Sequence, residues 1–135
     1  MSVRTINFYL DFASSEARAA FDALPAQLMG TSYAVRYLPL GAGALAAWER
    51  AGALGTPSRD VCERLFAGET PPAPPGAAPD QAAARLQNAE HSARAAGVQR
   101  LPALIVDGQL FTPPLDWGAL HTALESAENT DTPEK

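Results

Sequence analysis

Cysteine is almost missing from this chain: Cys62 is the single one in 135 residues. One thiol excludes an internal disulfide and a cysteine-built metal cluster. It also excludes disulfide exchange, because a dithiol cycle needs two sulfurs. Positive charge is also scarce. The formal net charge is -5, so no basic surplus exists to displace the counterions of a nucleic acid, and none is expected as a partner. No apolar run is long enough to span a bilayer, and no membrane partner is expected. The opening Met1–Phe12, MSVRTINFYLDF, is too short and too polar for a signal peptide, so the expected compartment is the cytoplasm. The two histidines, His91 and His121, fall on polar helix faces. No H-x-x-H, glycine-rich phosphate loop or serine–histidine–aspartate order occurs. Metal, nucleotide and acyl-transfer chemistry therefore have little support, and no metal site is expected.

What remains is an ordinary globular composition, 47% hydrophobic and 19% charged, with a length that suits one domain. Val3–Phe12 is rich in aromatic and branched residues, as in a strand buried on both faces. Ala17, Ala20, Phe21, Leu24 and Leu28 then make the stripe of an amphipathic helix over Ser15–Met29. Within it Pro25 predicts a kink or a separate turn, and Gly30 predicts the stop. Tyr33–Leu38 alternates apolar and polar residues, a second strand. A crossover of this length favours a parallel pair.

The middle of the chain predicts two short helices, Ala42–Leu54 and Ser58–Ala67. The proline-rich Glu69–Pro79 predicts a semi-rigid surface linker. Asp80 predicts the cap of a helix from Gln81 to about Ala96, with a thin stripe of Leu86, Ala89 and Ala93. Ala103–Val106 and Gln109–Thr112 flank Asp107-Gly108, a strong hairpin signal. Leu115–Ala127 closes as a helix with Leu120, Ala123 and Leu124 inward, and residues 128–135 read as a disordered tail. Cys62 lies beside Leu65 and Phe66 and reads as a small buried hydrophobe. Trp48 and Leu45 share a helix face that is either core or the surface of a homodimer. The predicted fold is α/β: a single domain over residues 1–127, β-α-β, a helical insertion at about 42–97, then β-β-α. It forms a four-stranded mixed sheet with flanking helices.

That order resembles the thioredoxin layout, and two motifs carry the resemblance further. Phe8-Tyr9-Leu10-Asp11-Phe12-Ala13-Ser14-Ser15 is similar to the F-x-D-x-x-S-P stretch of the 2-hydroxychromene-2-carboxylate isomerase and kappa-class glutathione transferase group. There a serine stands where the related disulfide oxidases, the DsbA group, keep their first cysteine. Gly97-Val98-Gln99-Arg100-Leu101-Pro102-Ala103-Leu104-Ile105-Val106-Asp107-Gly108 resembles the family's G-V-x-G-x-P-x-F-x-V-x-G, whose proline is cis and faces the active-site helix. Val35-Arg36-Tyr37-Leu38-Pro39 and Pro57-Ser58-Arg59 are weaker matches. The family's proline after serine is Ser15 here, its next aromatic is Glu16, and its glycine before the proline loop is Arg100. The insertion is also far shorter than in the active isomerases.

The resemblance implies glutathione as cofactor and a small hydrophobic molecule as substrate. Ser14 would polarise the glutathione thiol, Leu101 and Pro102 would hold its cysteinyl backbone, and Asp116 and Arg59 would meet its charged ends. Each residue also has a plainer role. Ser14 or Ser15 is an ordinary helix cap, Pro102 shapes a loop, Asp116 caps the last helix and Arg59 is a surface side chain. Two functions follow: a glutathione-dependent isomerase or transferase, or a catalytically inactive thioredoxin-fold binding or assembly module.

Overall fold

A computed structural model describes residues 4–30, 33–41, 43–51, 56–69, 72, 79–106, 108–112 and 115–131. Strand β1 (Arg4–Leu10) leads into helix α1 (Ser15–Gln27) and strand β2 (Tyr33–Pro39). Helices α2 (Ala44–Glu49), α3 (Arg59–Phe66) and α4 (Pro79–Ala95) follow. The chain then returns through β3 (Ala103–Val106) and β4 (Gln109–Phe111) to α5 (Trp117–Asp131). The sheet order is β2-β1-β3-β4. β1 runs parallel to β2 and antiparallel to β3, and β3–β4 is the expected hairpin. Asp107 of its turn lies outside the described residues; Gly108 sits at φ +85°, the left-handed region that this glycine reaches without a side-chain clash.

Two apolar layers form because strand side chains alternate between faces. Ile6, Phe8 and Leu10 point to one face, where Ala17, Phe21 and Leu24 of α1, Cys62 of α3 and Leu120 and Leu124 of α5 cover them. Tyr9, Leu38 and Ala103 point to the other face, against Trp48 of α2 and Ala82, Ala89 and Ala93 of α4. Burying each large side chain contributes roughly 1.5–3 kcal/mol. The helical insertion is thus divided: α2 and α4 cover one face, and α3 joins α1 and α5 on the other.

Several expectations change in detail. β1 is buried on both faces only in its second half; Thr5 is exposed and Asn7 half-buried, because α2 and α4 cover only the far half of that face. Pro79 does not end a linker but opens α4, where a proline costs nothing because the first helical N–H has no partner. Asp80 therefore sits in the first turn rather than at the cap, still favourable against the helix dipole. Positions 70–71 and 73–78 of the expected linker, and 42 and 52–54 of the first insertion helix, lie outside the described residues; within the described part of that stretch the helix is Ala44–Glu49. α5 runs on to Asp131, so the tail expected from 128 is helical that far, and 132–135 lie outside the described residues. Extending a formed helix adds one hydrogen bond per residue and needs no apolar face.

Pro25 neither kinks α1 into two nor ends it; the helix continues to Gln27. A proline inside a helix cannot donate to the carbonyl four residues back, which here is Phe21. Arg59 supplies the missing donor: its Nη1 donates to Phe21 O at 3.0 Å, across 38 residues of sequence.

Candidate functional site

The parallel strands β1 and β2 end beside each other, and Leu40 N–H donates to Leu10 O at 2.8 Å to extend the contact. The β1–α1 turn is then closed by Asp11. Its Oδ1 accepts from Ala13 N–H at 2.8 Å and its backbone O accepts from Ser14 N–H at 3.0 Å. Gly41 crosses directly over this carboxylate. A Cβ there would stand 2.7 Å from Asp11 Oδ2, and φ is +76°, so glycine is required twice over.

Ser14 is the N-cap of α1. Its backbone is extended (φ -96°, ψ 124°) and its Oγ accepts from Ala17 N–H at 3.1 Å. The cap uses an oxygen lone pair and leaves the hydroxyl proton to donate. Glu16 lies exposed in the first turn. It suits the positive end of the helix but opposes an incoming anion.

The Leu101–Pro102 peptide bond is cis. Ala103, the next residue, pairs with Tyr9, so the proline loop reaches the sheet end from which Ser14 departs. Pro102 is buried, and Leu101 is half-buried against the Tyr9–Trp48 layer. The β1–β3 ladder starts at Ala103, which leaves the Leu101 backbone N–H and C=O outside it.

The other two candidates are differently placed. Asp116 caps α5: its Oδ1 accepts from Ala119 N–H at 3.1 Å. His121, further along α5 on the polar face expected for it, hydrogen-bonds Gln27 O at 3.1 Å. Gln27 is the last residue of α1, and 13 helical residues separate it from the Ser14 end by roughly 20 Å. Arg59 is half-buried and faces inward. Besides Phe21 O, its Nη1 donates to Tyr37 Oη at 3.1 Å, and its guanidinium stacks 4.0 Å from the Phe21 ring centroid. It is a packing and hydrogen-bonding residue rather than a surface side chain. Burial raises the Tyr37 phenol above its usual pKa, with the Arg59 hydrogen bond pulling the other way.

Cys62 is fully buried in α3. Burial pushes its thiol up to about 12, against a smaller opposing pull from Arg59. A thiol this basic is protonated at neutral pH and is neither nucleophile nor redox centre. Trp48, left open as core or dimer surface, is core: its Nε1 donates to Pro39 O at 3.1 Å, while Leu45 is exposed. Among the described residues, no group of three His, Cys, Asp or Glu stands where it could hold a metal ion. Among them no helix is long and apolar enough to cross a membrane.

The sequence reading missed the polar side of the β1–β2 surface. Asn7 and Arg36 are register partners there and line a groove with Arg85 and Asn88 of α4. The signal lay in two polar residues inserted at matching positions of otherwise apolar strands.

No family model and no curated protein matches the chain. Solved structures do. A periplasmic thioredoxin-like protein from Salmonella enterica serovar Typhimurium aligns at a TM-score of 0.60 and 18% identity, over 90% of this chain and 82% of that one. Proteus mirabilis ScsC in a compact conformation aligns at 0.63 and 16%, over 92% and 67%. The oxidoreductase DsbA from Xylella fastidiosa aligns at 0.59 and 17%, over 93% and 86%. The four-stranded mixed sheet, its flanking helices and these similarities together establish that the chain has the thioredoxin-like fold.

Proposed function

We propose that this chain is a redox-inactive thioredoxin-fold protein that binds glutathione at the Ser14 end of α1 and uses it in isomerisation or group transfer on a small hydrophobic compound. The observation that carries the reading is Ser14: a helix cap that keeps its hydroxyl proton, at the sheet end shared with the Leu101–Pro102 loop. Ser14 Oγ donates to the thiol sulfur and, with the positive end of α1, favours its thiolate. Leu101 offers its backbone N–H and C=O to the cysteinyl backbone, the way an extended peptide adds to a sheet edge. Arg59 is left out of this assignment, because its Nη1 already serves Phe21 O and Tyr37 Oη and its guanidinium stacks on the Phe21 ring. Asp116 is left out as well: its Oδ1 caps α5, the helix whose His121 meets the Gln27 end of α1 rather than the Ser14 end. The compartment that suits this function is the cytoplasm, whose glutathione pool is reduced.

The test is a calorimetric titration of the protein with reduced glutathione, beside Ser14→Ala. Saturable heat that weakens in the variant is the expected result. No heat at millimolar glutathione overturns the proposal and leaves the second reading, a catalytically inactive binding or assembly module. One observation favours that alternative: Arg59, expected to meet a ligand, is engaged inside the fold.

A further inference from the structure

The two parallel strands send their helices to opposite faces of the sheet. α1, which follows β1, packs with Ile6, Phe8 and Leu10, whereas α2, which follows β2, packs with Tyr9 and Leu38. A crevice opens between the carboxyl ends of adjacent parallel strands whose connections diverge in this way, and ligands of open α/β sheets bind in such crevices. Here its walls are the β1–α1 turn, with Asp11 and Ser14, and the β2–α2 turn, with Gly41.

Asp11 is the ionisable group where those walls meet. Its backbone O holds Ser14 N–H at 3.0 Å, so its carboxylate and the Ser14 hydroxyl belong to one turn. The carboxylate is half-buried, and its two oxygens differ. Oδ1 accepts from Ala13 N–H at 2.8 Å, whereas among the described residues no donor reaches Oδ2. Oδ2 faces Gly41, where a Cβ would stand 2.7 Å away. Glycine therefore keeps the space beside the unfilled oxygen clear of side chain. A half-buried carboxylate oxygen with spare lone pairs favours a cationic donor, and an ammonium brings three N–H groups with a full charge.

Glu16, exposed in the first turn of α1, adds a second negative charge at this end. Neither nearby arginine is counted against the two carboxylates: Arg59 serves Phe21 O and Tyr37 Oη, and Arg18 pairs with Asp22 at 3.4 Å. A thiolate is better accommodated here when its carrier also brings a positive group.

We infer that Asp11 Oδ2 binds the α-ammonium group of the thiol ligand, so that the Ser14 end selects a thiol with a free amino group. This rests on the glutathione reading above and adds to it the contact for the ligand's ammonium end, a role that neither Arg59 nor Asp116 fills.

The experiment titrates the protein and Asp11→Asn calorimetrically with reduced glutathione and with N-acetylglutathione, the same thiol with its amine made neutral. Asp11→Asn keeps an oxygen to accept from Ala13 N–H but puts an NH2, which cannot accept, in place of Oδ2. N-acetylglutathione should bind the unsubstituted protein about tenfold or more weakly than glutathione does, as loss of a charge-assisted contact requires. Asp11→Asn should weaken glutathione by a comparable factor and leave N-acetylglutathione unchanged. Saturable glutathione binding that N-acetylglutathione matches overturns the ammonium contact and leaves the glutathione reading standing. Equal losses of both thiols in Asp11→Asn assign Asp11 to the turn alone and overturn the contact. No heat with either thiol overturns the glutathione reading and this inference with it.

Discussion

Removing Arg59 should destabilise the protein far more than removing a surface arginine, and Pro25 explains why. Pro25 leaves the Phe21 carbonyl without its helical donor, and Arg59 Nη1 fills that gap at 3.0 Å while also reaching Tyr37 Oη at 3.1 Å. Hydrogen bonds to a charged group are worth roughly 1.5–3 kcal/mol. The stacking of the guanidinium over Phe21 adds about 0.5–2 kcal/mol. Arg59→Ala should therefore cost about 2–4 kcal/mol, a large part of the roughly 5–15 kcal/mol that holds a domain folded. Urea unfolding followed by circular dichroism measures this, with the slope against denaturant unchanged. Arg64→Ala is the control; its exposed pair with Asp60 should be worth under about 1 kcal/mol. The decisive variant is Pro25→Ala, which restores an N–H able to reach Phe21 O. In that background Arg59→Ala should cost about 1–2 kcal/mol less, because the carbonyl is no longer stranded. Additivity of the two substitutions within about 0.5 kcal/mol would refute the compensation.

Three further outcomes are expected. Cys62 titrates at about 12 in the fold against 9.0 for an ordinary thiol, and Tyr37 is raised in the same direction. Raised acids contribute stability that is complete below the ordinary value and is lost as pH climbs. Unfolding free energy should therefore fall from pH 9 towards 12, by on the order of 4 kcal/mol for the thiol, and Cys62→Ala should flatten that fall. Gly41→Ala should destabilise by about 1–2 kcal/mol from its backbone angle alone, with a further loss from the Asp11 contact that Asp11→Ala relieves; thermal melts of the three variants separate the two parts. Ser14→Gly should cost only a few tenths of a kcal/mol and Ser14→Ala about 1 kcal/mol, yet both should weaken glutathione binding alike, which separates the cap from the ligand contact.

Local pattern carried much of the architecture. The limits of β3, the hairpin at Gly108, the parallel β1–β2 pair and the cap at Ser14 all follow from short-range rules of turn, cap and crossover. So does burial of Cys62, from its place beside Leu65 and Phe66. Errors clustered where a residue's effect depends on something distant. Pro25 looked like a break because its compensating donor lies in another helix. Arg59 looked like a surface side chain because neither Phe21 nor Tyr37 is near it in sequence. The polar tail looked unstructured because α5 continues through residues that have no packing signal.

The candidate site divides along the same line. The sequence by itself determined that this chain has one thiol, that a serine caps the first helix, and that a proline precedes the third strand. These are matters of residue identity and of hydrogen bonds closed within a few positions. Only the tertiary structure decided that α3 packs on the face opposite α2 and α4, that Arg59 serves Phe21 rather than a ligand, and that Arg36 and Arg85 meet across one groove. Those outcomes depend on which face each helix covers. Periodicity shows that a helix has an apolar side, but the partner for that side is selected by packing across the whole sheet.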